Sequence, residues 1–279
     1  MSKFPIKAYK NTEFLNSSEA RTIRILCEYE EPKRRFESHG ITDTVVFFGS
    51  ARTKPGDVAA LALEDARNAA AAPGADKAAA AALKKAEIDH KMSRYYDDAR
   101  ELARRITEWS LAAQSGRFVI TSGGGPGIME AANRGAADVD GGRSVGLGIS
   151  LPFEAGVNDW VTDGLDFEFH YFFTRKYWFL YLCKALVIFP GGFGTMDELF
   201  ESLTLIQTEK IKKGLPIVLY GKAYWDAILN MEAMAEFGTI SPDDVDLFHR
   251  VDSVDDAFDY LSSFLERSAP VGSVLSRDD

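Results

Sequence analysis

The sequence predicts an α/β fold, a doubly wound parallel sheet flanked by helices. Short apolar runs without charge recur along the chain, at residues 44–48, 118–121, 144–149, 185–189 and 215–220. Runs of this kind are typical of strands buried on both faces. Stretches with helical apolar spacing separate them, and strands that alternate with helices are typical of a parallel sheet. Residues 165–171 and 248–251 predict two further strands, the second at an edge.

Helical stretches surround the first predicted strand. Ser17 and Ser18 are predicted to cap a helix from residue 19, which Pro32 interrupts or ends. Residues 57–114 are rich in alanine and predict helices on either side of a break at Pro73 and Gly74.

One domain is expected, spanning residues 17–267, with a helical insertion at about residues 53–94. Residues 1–16 are expected to be a flexible arm, and residues 268–279 a flexible tail. The small apolar faces of the alanine-rich helices predict that the first of them packs closely on a neighbour or on a partner subunit.

Composition excludes several classes of protein. The formal net charge of −10 argues against a nucleic-acid or anionic-membrane surface. No apolar run approaches the ~20 residues that span a bilayer, and the first residues lack a signal peptide's apolar core. Cys27 and Cys183 are predicted to be buried thiols outside any disulfide. A cytoplasmic protein is expected.

Residues 185–206 predict the centre of the active site. A buried strand at residues 185–189 leads into a glycine loop, and helical spacing begins at Met196. A strand, a glycine loop and a helix together direct backbone N–H groups and a positive helix end at an anion. The same spacing places Asp197 and Glu198 in the first helical turn, where they crowd the anion site.

A second strand and glycine loop occur at residues 118–130, with the loop sequence Ser-Gly-Gly-Gly-Pro-Gly. The spacing is neither the dinucleotide pattern G-x-G-x-x-G nor the triphosphate pattern G-x-x-x-x-G-K-[ST]. The first strand also ends in Gly49 and Ser50, at the edge where open α/β sheets bind ligands. A simple turn is the alternative for each loop.

Arg175 and Lys176 lie near the start of a helix predicted at residues 172–184. Cations there oppose the helix dipole, so they require an anion, either a carboxylate such as Glu154 or a bound phosphate. Glycine loops, cations and carboxylates suit cleavage of a glycosidic bond in a phosphorylated sugar. The structural alternative is a salt bridge between Arg175 and Glu198.

Other chemistries lack support in the sequence. The four histidines are scattered without a paired spacing, so no metal site is predicted. The G-x-S-x-G elbow of α/β-hydrolases does not occur. No cofactor is expected.

Residues 190–198, Pro-Gly-Gly-Phe-Gly-Thr-Met-Asp-Glu, resemble the P-G-G-x-G-T-x-x-E signature of the Lonely Guy family. The resemblance extends over residues 44–265, through the second glycine loop, the Arg-Lys pair and Gln207. It implies a Rossmann-like homodimer or larger homo-oligomer that hydrolyses cytokinin riboside 5′-monophosphates to free base and ribose 5-phosphate. Members often carry the label lysine decarboxylase, but no lysine here stands in a convincing pyridoxal phosphate site.

The resemblance also implies roles for particular residues. Arg175 and Glu198 match the catalytic pair, Glu154 matches the substrate-contacting acid, and Thr204 matches a threonine of the helix after the signature. The remaining expected substrate and phosphate contacts are Ser50, Gly124, Gly125, Gly127, Lys176, Gly191, Gly192, Phe193, Gly194, Thr195, Met196 and Asp197.

The chain departs from compact family members in its insertion and its N-terminal helix. AMP or another purine 5′-monophosphate is therefore an alternative substrate. Two further readings stay open, a non-catalytic nucleotide or molybdenum-cofactor carrier on the same fold, and a structural or regulatory oligomer. No partner other than a small nucleotide and copies of the chain is expected.

Overall fold

The computed structural model describes residues 5–150, 156–212 and 214–268. Its strands form one seven-stranded parallel sheet in the order β4-β3-β2-β1-β5-β6-β7, which confirms the predicted fold class. The strands are β1 (Asp43–Phe48), β2 (Phe118–Ser122), β3 (Ser144–Ile149), β4 (Asp166–Phe169), β5 (Cys183–Ile188), β6 (Ile217–Tyr220) and β7 (His249–Val251).

Helices cover both faces of this sheet. They are α1 (Thr12–Leu15), α2 (Arg21–Ser38), α3 (Gly56–Ala71), α4 (Lys77–Gln114), α5 (Ile128–Ala137), α6 (Phe172–Tyr181), α7 (Phe193–Gln207), α8 (Lys222–Ile228), α9 (Met231–Glu236) and α10 (Val254–Arg267), with 3-10 helices at Ala8–Lys10 and Pro242–Leu247. Because both faces are covered, the central strands are buried along their whole length.

Two hydrophobic cores lie on opposite faces of the sheet. One contains Phe36, Trp178, Phe179 and Leu199, from α2, α6 and α7. The other contains large side chains of α4, together with the buried faces of α5 and α10. The fold therefore places α7, with the signature sequence, on the same face as α2 and α6.

The strand order reverses direction at β1. The chain moves from β1 outward through β2, β3 and β4, and then returns to the other side of β1 with β5. At such a reversal the loops that leave two adjacent strands diverge and open a crevice at their carboxyl ends. The loops after β1 and β5 border the crevice here.

The predicted start and end of the N-terminal helix are both wrong. The helix begins at Arg21 after Ala20, and the Ser17 hydroxyl instead donates to the carbonyl of Phe14. The helix also continues through Pro32 to residue 38. Pro32 has no N–H for the Glu28 carbonyl, but Trp178 Nε1 donates to that oxygen at 3.0 Å, so tertiary packing supplies the missing donor.

Three other expectations differ from the structure. The helix predicted through Lys184 ends at Tyr181, because residues from Cys183 onward pair with β1. The apolar spacing of residues 225–235 predicts a single helix, but the structure has two helices there, α8 and α9, separated by an extended turn. Cys27 is exposed, so only Cys183 is buried as predicted.

The alanine-rich insertion forms a helical hairpin. Its first arm is α3, which buries Ala59 and Leu63, and the break at Pro73 and Gly74 is confirmed. Its second arm continues without interruption into the core part of α4, so insertion and core share one helix of 38 residues. None of the helices in the described part of the chain has the length and apolar character to cross a membrane.

We expect that Gly135→Ala lowers the free energy of unfolding by about 1–3 kcal/mol, since overpacking of a tight contact carries that cost. A Cβ at Gly135 would lie 2.1 Å from the Arg100 carbonyl oxygen, where α5 crosses α4. Gly194→Ala is the matched control, because that helical glycine has no atom within 4 Å of a built Cβ. Urea unfolding of both variants checks the difference, and equal stability would contradict it.

Candidate active site

A cavity of about 730 Å³ lies at the reversal point of the sheet. Its walls are the loops after β1 and β5, the start of α7, and side chains from α4, α5, α6 and α8. Two backbone hydrogen bonds join the two loops, from Ser50 N to the Pro190 oxygen at 3.0 Å and from Phe189 N to the Phe48 oxygen at 2.8 Å. The sheet therefore fixes the separation of the cavity's two main walls.

The N-terminus of α7 faces this cavity. Gly192 is the N-cap, so no side chain there accepts from the first N–H groups of the helix. Gly192, Phe193 and Gly194 are exposed, while Gly191 packs so closely against Thr195 that a Cβ would lie 2.1 Å from the hydroxyl oxygen. The loop thus presents backbone donors to an anion with little side-chain obstruction.

The helix begins at Phe193 and not at Met196, so Asp197 and Glu198 lie in its second turn and not in its first. Asp197 and Glu198 are therefore about one helical turn away from the N–H groups at the start of α7. An anion bound at this end of the helix would lie closer to the positive end of the helix dipole than to these two carboxylates. Asp197 is exposed and Glu198 is buried, so two adjacent carboxylates have different environments.

Lys176 holds three carboxylates of α7. Its Nζ lies 2.6 Å from Glu201, 2.8 Å from Asp197 and 3.4 Å from Glu198. Burial lowers the pKa of Lys176, but these carboxylates outweigh it and raise the pKa above its ordinary value. The side chain therefore remains a cation that ties α6 to α7.

Glu198 is the buried acid of the cavity. Burial raises the pKa of its carboxyl from the ordinary value of 4.5 to about 7, against the opposing effects of Lys176 and Arg175. The ion pair of Glu198 that the structure shows is with Lys176, and not the salt bridge with Arg175 that was the structural alternative. A carboxyl that changes protonation near neutral pH is suited to acid–base or electrostatic roles.

Arg175 reaches the same cavity from α6. Its Nε donates to the Leu147 carbonyl at 2.8 Å, and its guanidinium lies over the Phe179 ring at 5.1 Å. A Cβ at Gly123 would lie 2.7 Å from Arg175 Nη2, so this glycine makes room for the guanidinium. Packing from β2, β3 and α6 thus orients the cation.

The N-terminus of α6 has its own compensating anion. The Glu28 carboxylate of α2 accepts from the backbone N–H of His170 at 2.8 Å, from that of Tyr171 at 3.3 Å and from the Thr174 hydroxyl. Glu28 thus supplies the anion at the start of this helix, for which the sequence pattern indicated Glu154 or a bound phosphate. Glu154 lies outside the described residues.

The glycines of the loop after β2 allow close packing of neighbouring segments. Gly124 has a φ of +73° and lies under Val157, and its carbonyl accepts from Asn158 N at 2.7 Å. At Gly127 a Cβ would lie 2.3 Å from the Ser50 oxygen, so this glycine permits the loops after β1 and β2 to touch. Gly125 is covered by Met129.

The structure brings most of the expected residues together. Those that line the cavity are Ser50, Arg175, Gly191, Gly192, Phe193, Gly194, Thr195, Met196, Asp197 and Glu198, with Lys176 in contact behind them. It does not bring Gly124, Gly125, Gly127 or Thr204 to this cavity. The Thr204 hydroxyl is exposed and donates to the Phe200 carbonyl within α7.

Sequence reasoning missed several residues of the cavity wall. Tyr224 follows β6, and its hydroxyl donates to the Gly191 carbonyl at 2.6 Å, which supports the signature loop. Its position after a strand's carboxyl end was a usable signal. Met92, Met129 and Phe172 reach the cavity from three helices, and no local pattern indicated them.

Within the described ranges, no group of three or more histidine, cysteine, aspartate or glutamate side chains could hold a metal ion. The chemical groups present are a buried carboxyl, a guanidinium and the N-terminal donors of a helix. They line a crevice at the carboxyl ends of β1 and β5 in an α/β protein, and their chemistry is that of groups that can hold an anion.

Comparison with known proteins extends this description. The model of a family described as possible lysine decarboxylase matches residues 129–261, from α5 to α10. That match supports the predicted resemblance to the Lonely Guy family, and the matched segment contains Arg175 and the complete signature sequence. The α3–α4 insertion and the strands β1 and β2 precede it. No protein with a curated description matches the chain.

We expect Glu198→Gln to become more stable relative to the wild type as pH rises. The folded pKa of about 7 exceeds the ordinary 4.5, so the folded state binds the extra proton between these values, and wild-type stability falls as pH increases. Full ionisation above pH 7 costs about 3 kcal/mol. Glutamine lacks this cost.

Chemical unfolding at pH 5 and pH 8 measures this effect. Glu201→Gln is the control, because it removes an equal charge beside the same ammonium from a more exposed position. The same pH dependence in both variants would show that burial of Glu198 is not the cause.

Proposed function

We propose that this protein is a nucleoside 5′-monophosphate phosphoribohydrolase. It would cleave the N-glycosidic bond of a cytokinin riboside 5′-monophosphate or of AMP. Water would add its oxygen to C1′ of the ribose as the bond to the base breaks, and a proton would go to the departing base. The products are free base and ribose 5-phosphate.

The observation that carries this proposal is a buried carboxyl beside a guanidinium and an uncapped helix N-terminus. Glu198, Arg175 and the Gly192 end of α7 line one cavity. A site built only to retain a phosphorylated ligand has no need of a buried acid, since burying a carboxylate costs stability. The match to the possible lysine decarboxylase family adds support.

The geometry supports a role for each group in this reaction. The N–H groups at the start of α7 would hold the 5′-phosphate, which places the ribose further into the cavity. The ionised Glu198 would stabilise the positive charge that develops at C1′ or orient the attacking water. Arg175 would position the phosphate or the ribose hydroxyls.

Decarboxylation of lysine fits the site less well. A lysine that forms a Schiff base needs a lowered pKa, so that its amine is a nucleophile. The pKa of Lys176 is raised, since Asp197, Glu198 and Glu201 surround its ammonium. The lysine beside the cavity thus stays charged and engaged.

We expect purified protein to release free base from AMP or from isopentenyladenosine monophosphate, measured by chromatography. Arg175→Ala and Glu198→Ala should each reduce kcat/KM by about 100-fold or more, because each removes a charge aimed at the reacting sugar. Arg105→Ala is the control, since that arginine of α4 pairs with Asp255 on the surface. Circular dichroism checks that every variant is folded.

Two outcomes would contradict the proposal. Tight nucleotide binding without release of base from any nucleoside monophosphate would favour the carrier. Full activity in both variants would place the chemistry elsewhere.

A further inference from the structure

A second cavity of about 770 Å³ adjoins the cavity that contains Glu198 and Arg175, which is called the reaction cavity from here on. The loop of residues 50–55 forms one wall, and the start of α5 forms another. The third wall is α4, through Lys85, Ile88, Asp89 and Met92. The α3–α4 insertion therefore creates this space.

The two cavities share part of their walls. Ser50, Ala51, Arg52 and Met92 line both of them. A ligand in the reaction cavity therefore lies beside the second space, with Arg52 at the boundary between them. A nucleoside monophosphate is small compared with the combined volume, so the second cavity is available to an additional group.

The lining of this cavity favours an anion. Arg52, Lys54 and Lys85 supply three cations, against the carboxylates of Asp89 and Glu130. This excess of positive charge occurs in a protein whose formal net charge is −10. Positive charge concentrated in a concave wall attracts anionic ligands despite an acidic average.

Asp89 organises two of these cations. Its Oδ2 lies 2.7 Å from Lys85 Nζ and 3.0 Å from Lys54 Nζ, so one carboxylate holds two ammonium groups at the cavity wall. A single negative charge cannot neutralise both. The arrangement keeps the two ammonium groups close together, with donor capacity left for a further anion.

The second carboxylate is already engaged. Glu130 Oε1 accepts from the Tyr96 hydroxyl at 2.6 Å on the side of α5. Its negative charge is thus held by a hydrogen bond from the phenol. The apolar side chains of Ile88 and Met92 complete the wall and can contact the body of a ligand.

We propose that the second cavity binds an anionic group carried by the nucleotide whose phosphate occupies the reaction cavity. The preferred substrate would then have a second anionic substituent on its base or ribose. This inference rests on the proposed function for the orientation of the nucleotide. Lys85 and Lys54 are the residues that select the substituent.

Calorimetric binding tests this inference separately from turnover. The titrations use Glu198→Gln as background, so that hydrolysis does not interfere. The probes are AMP, adenosine 3′,5′-bisphosphate, and AMP with an N6-(1,2-dicarboxyethyl) group. Lys85→Glu is compared with Lys84→Glu, which makes the same charge change one residue away, at an exposed position outside the cavity lining.

Two of the probes carry a second anionic group besides the 5′-phosphate, and these are called the doubly anionic probes. We expect at least one of them to bind the Lys84→Glu protein about tenfold more tightly than AMP does, as charge-assisted hydrogen bonds allow. In Lys85→Glu that advantage should fall to about twofold or less, while AMP affinity stays the same in both proteins. The advantage should also shrink as salt screens the lysines.

Equal ratios in the two variants would overturn the inference. A separate anion is the other source of the same chemistry, and inorganic pyrophosphate tests it. If pyrophosphate changes AMP binding in Lys84→Glu but not in Lys85→Glu, and neither doubly anionic probe gains affinity, the cavity holds an independent anion. A wild-type protein that binds these probes as expected but cleaves none of them would instead contradict the proposed function alone.

Discussion

The ammonium of Lys176 connects the structural and chemical parts of the site. It contacts Asp197, Glu198 and Glu201, which lie on one side of the second and third turns of α7. Without this cation, three carboxylates would repel one another, and one of them is buried. The contact also fixes α6 against α7, and α6 carries Arg175.

The same arrangement leaves Glu198 incompletely compensated. A single ammonium 3.4 Å away lowers the carboxyl pKa, yet burial dominates and the pKa remains near 7. A fully paired acid would have a depressed pKa and would be stable but inert. The ionised Glu198 carboxylate therefore costs stability, and it lies where a carboxylate could stabilise a positive charge that develops on a substrate.

Much of the fold could be predicted because the signals were local. Uncharged runs such as residues 44–48 became the central strands, and Pro73 and Gly74 did separate the arms of the insertion. The errors have a common physical origin in tertiary contacts. Trp178 supplies a donor that allows α2 to continue past Pro32, and pairing with β1 converts Cys183 from helix to strand.

The candidate site divides in the same way. The signature sequence predicted the glycine loop and an acid beside it, because these residues are adjacent in the chain, but it did not predict that Glu198 is buried. The glycines after β2 fit a phosphate cradle by sequence, but Gly124 and Gly127 are needed for close packing against Val157 and Ser50. The contributions of Glu28 and Met92 come from distant segments, so no spacing could indicate them.

The insertion gives the chain a feature that the signature alone does not imply. By extending α4 over the loop after β1, it places a basic wall beside the reaction cavity. The charge of that wall contrasts with the acidic cluster around Lys176. Under the proposed function, the cavity beside Glu198 would hold the sugar that becomes positive, and the basic wall would hold a negative substituent.

The pH dependence of kcat/KM for AMP tests the central claim most directly. We expect kcat/KM to rise with an apparent pKa of about 7 as Glu198 ionises. In Lys176→Met the rise should move to higher pH, because the cation that favours the ionised carboxyl is gone. A rate that stays constant from about pH 6 to 8, or an inflection that does not move in Lys176→Met, would contradict the account.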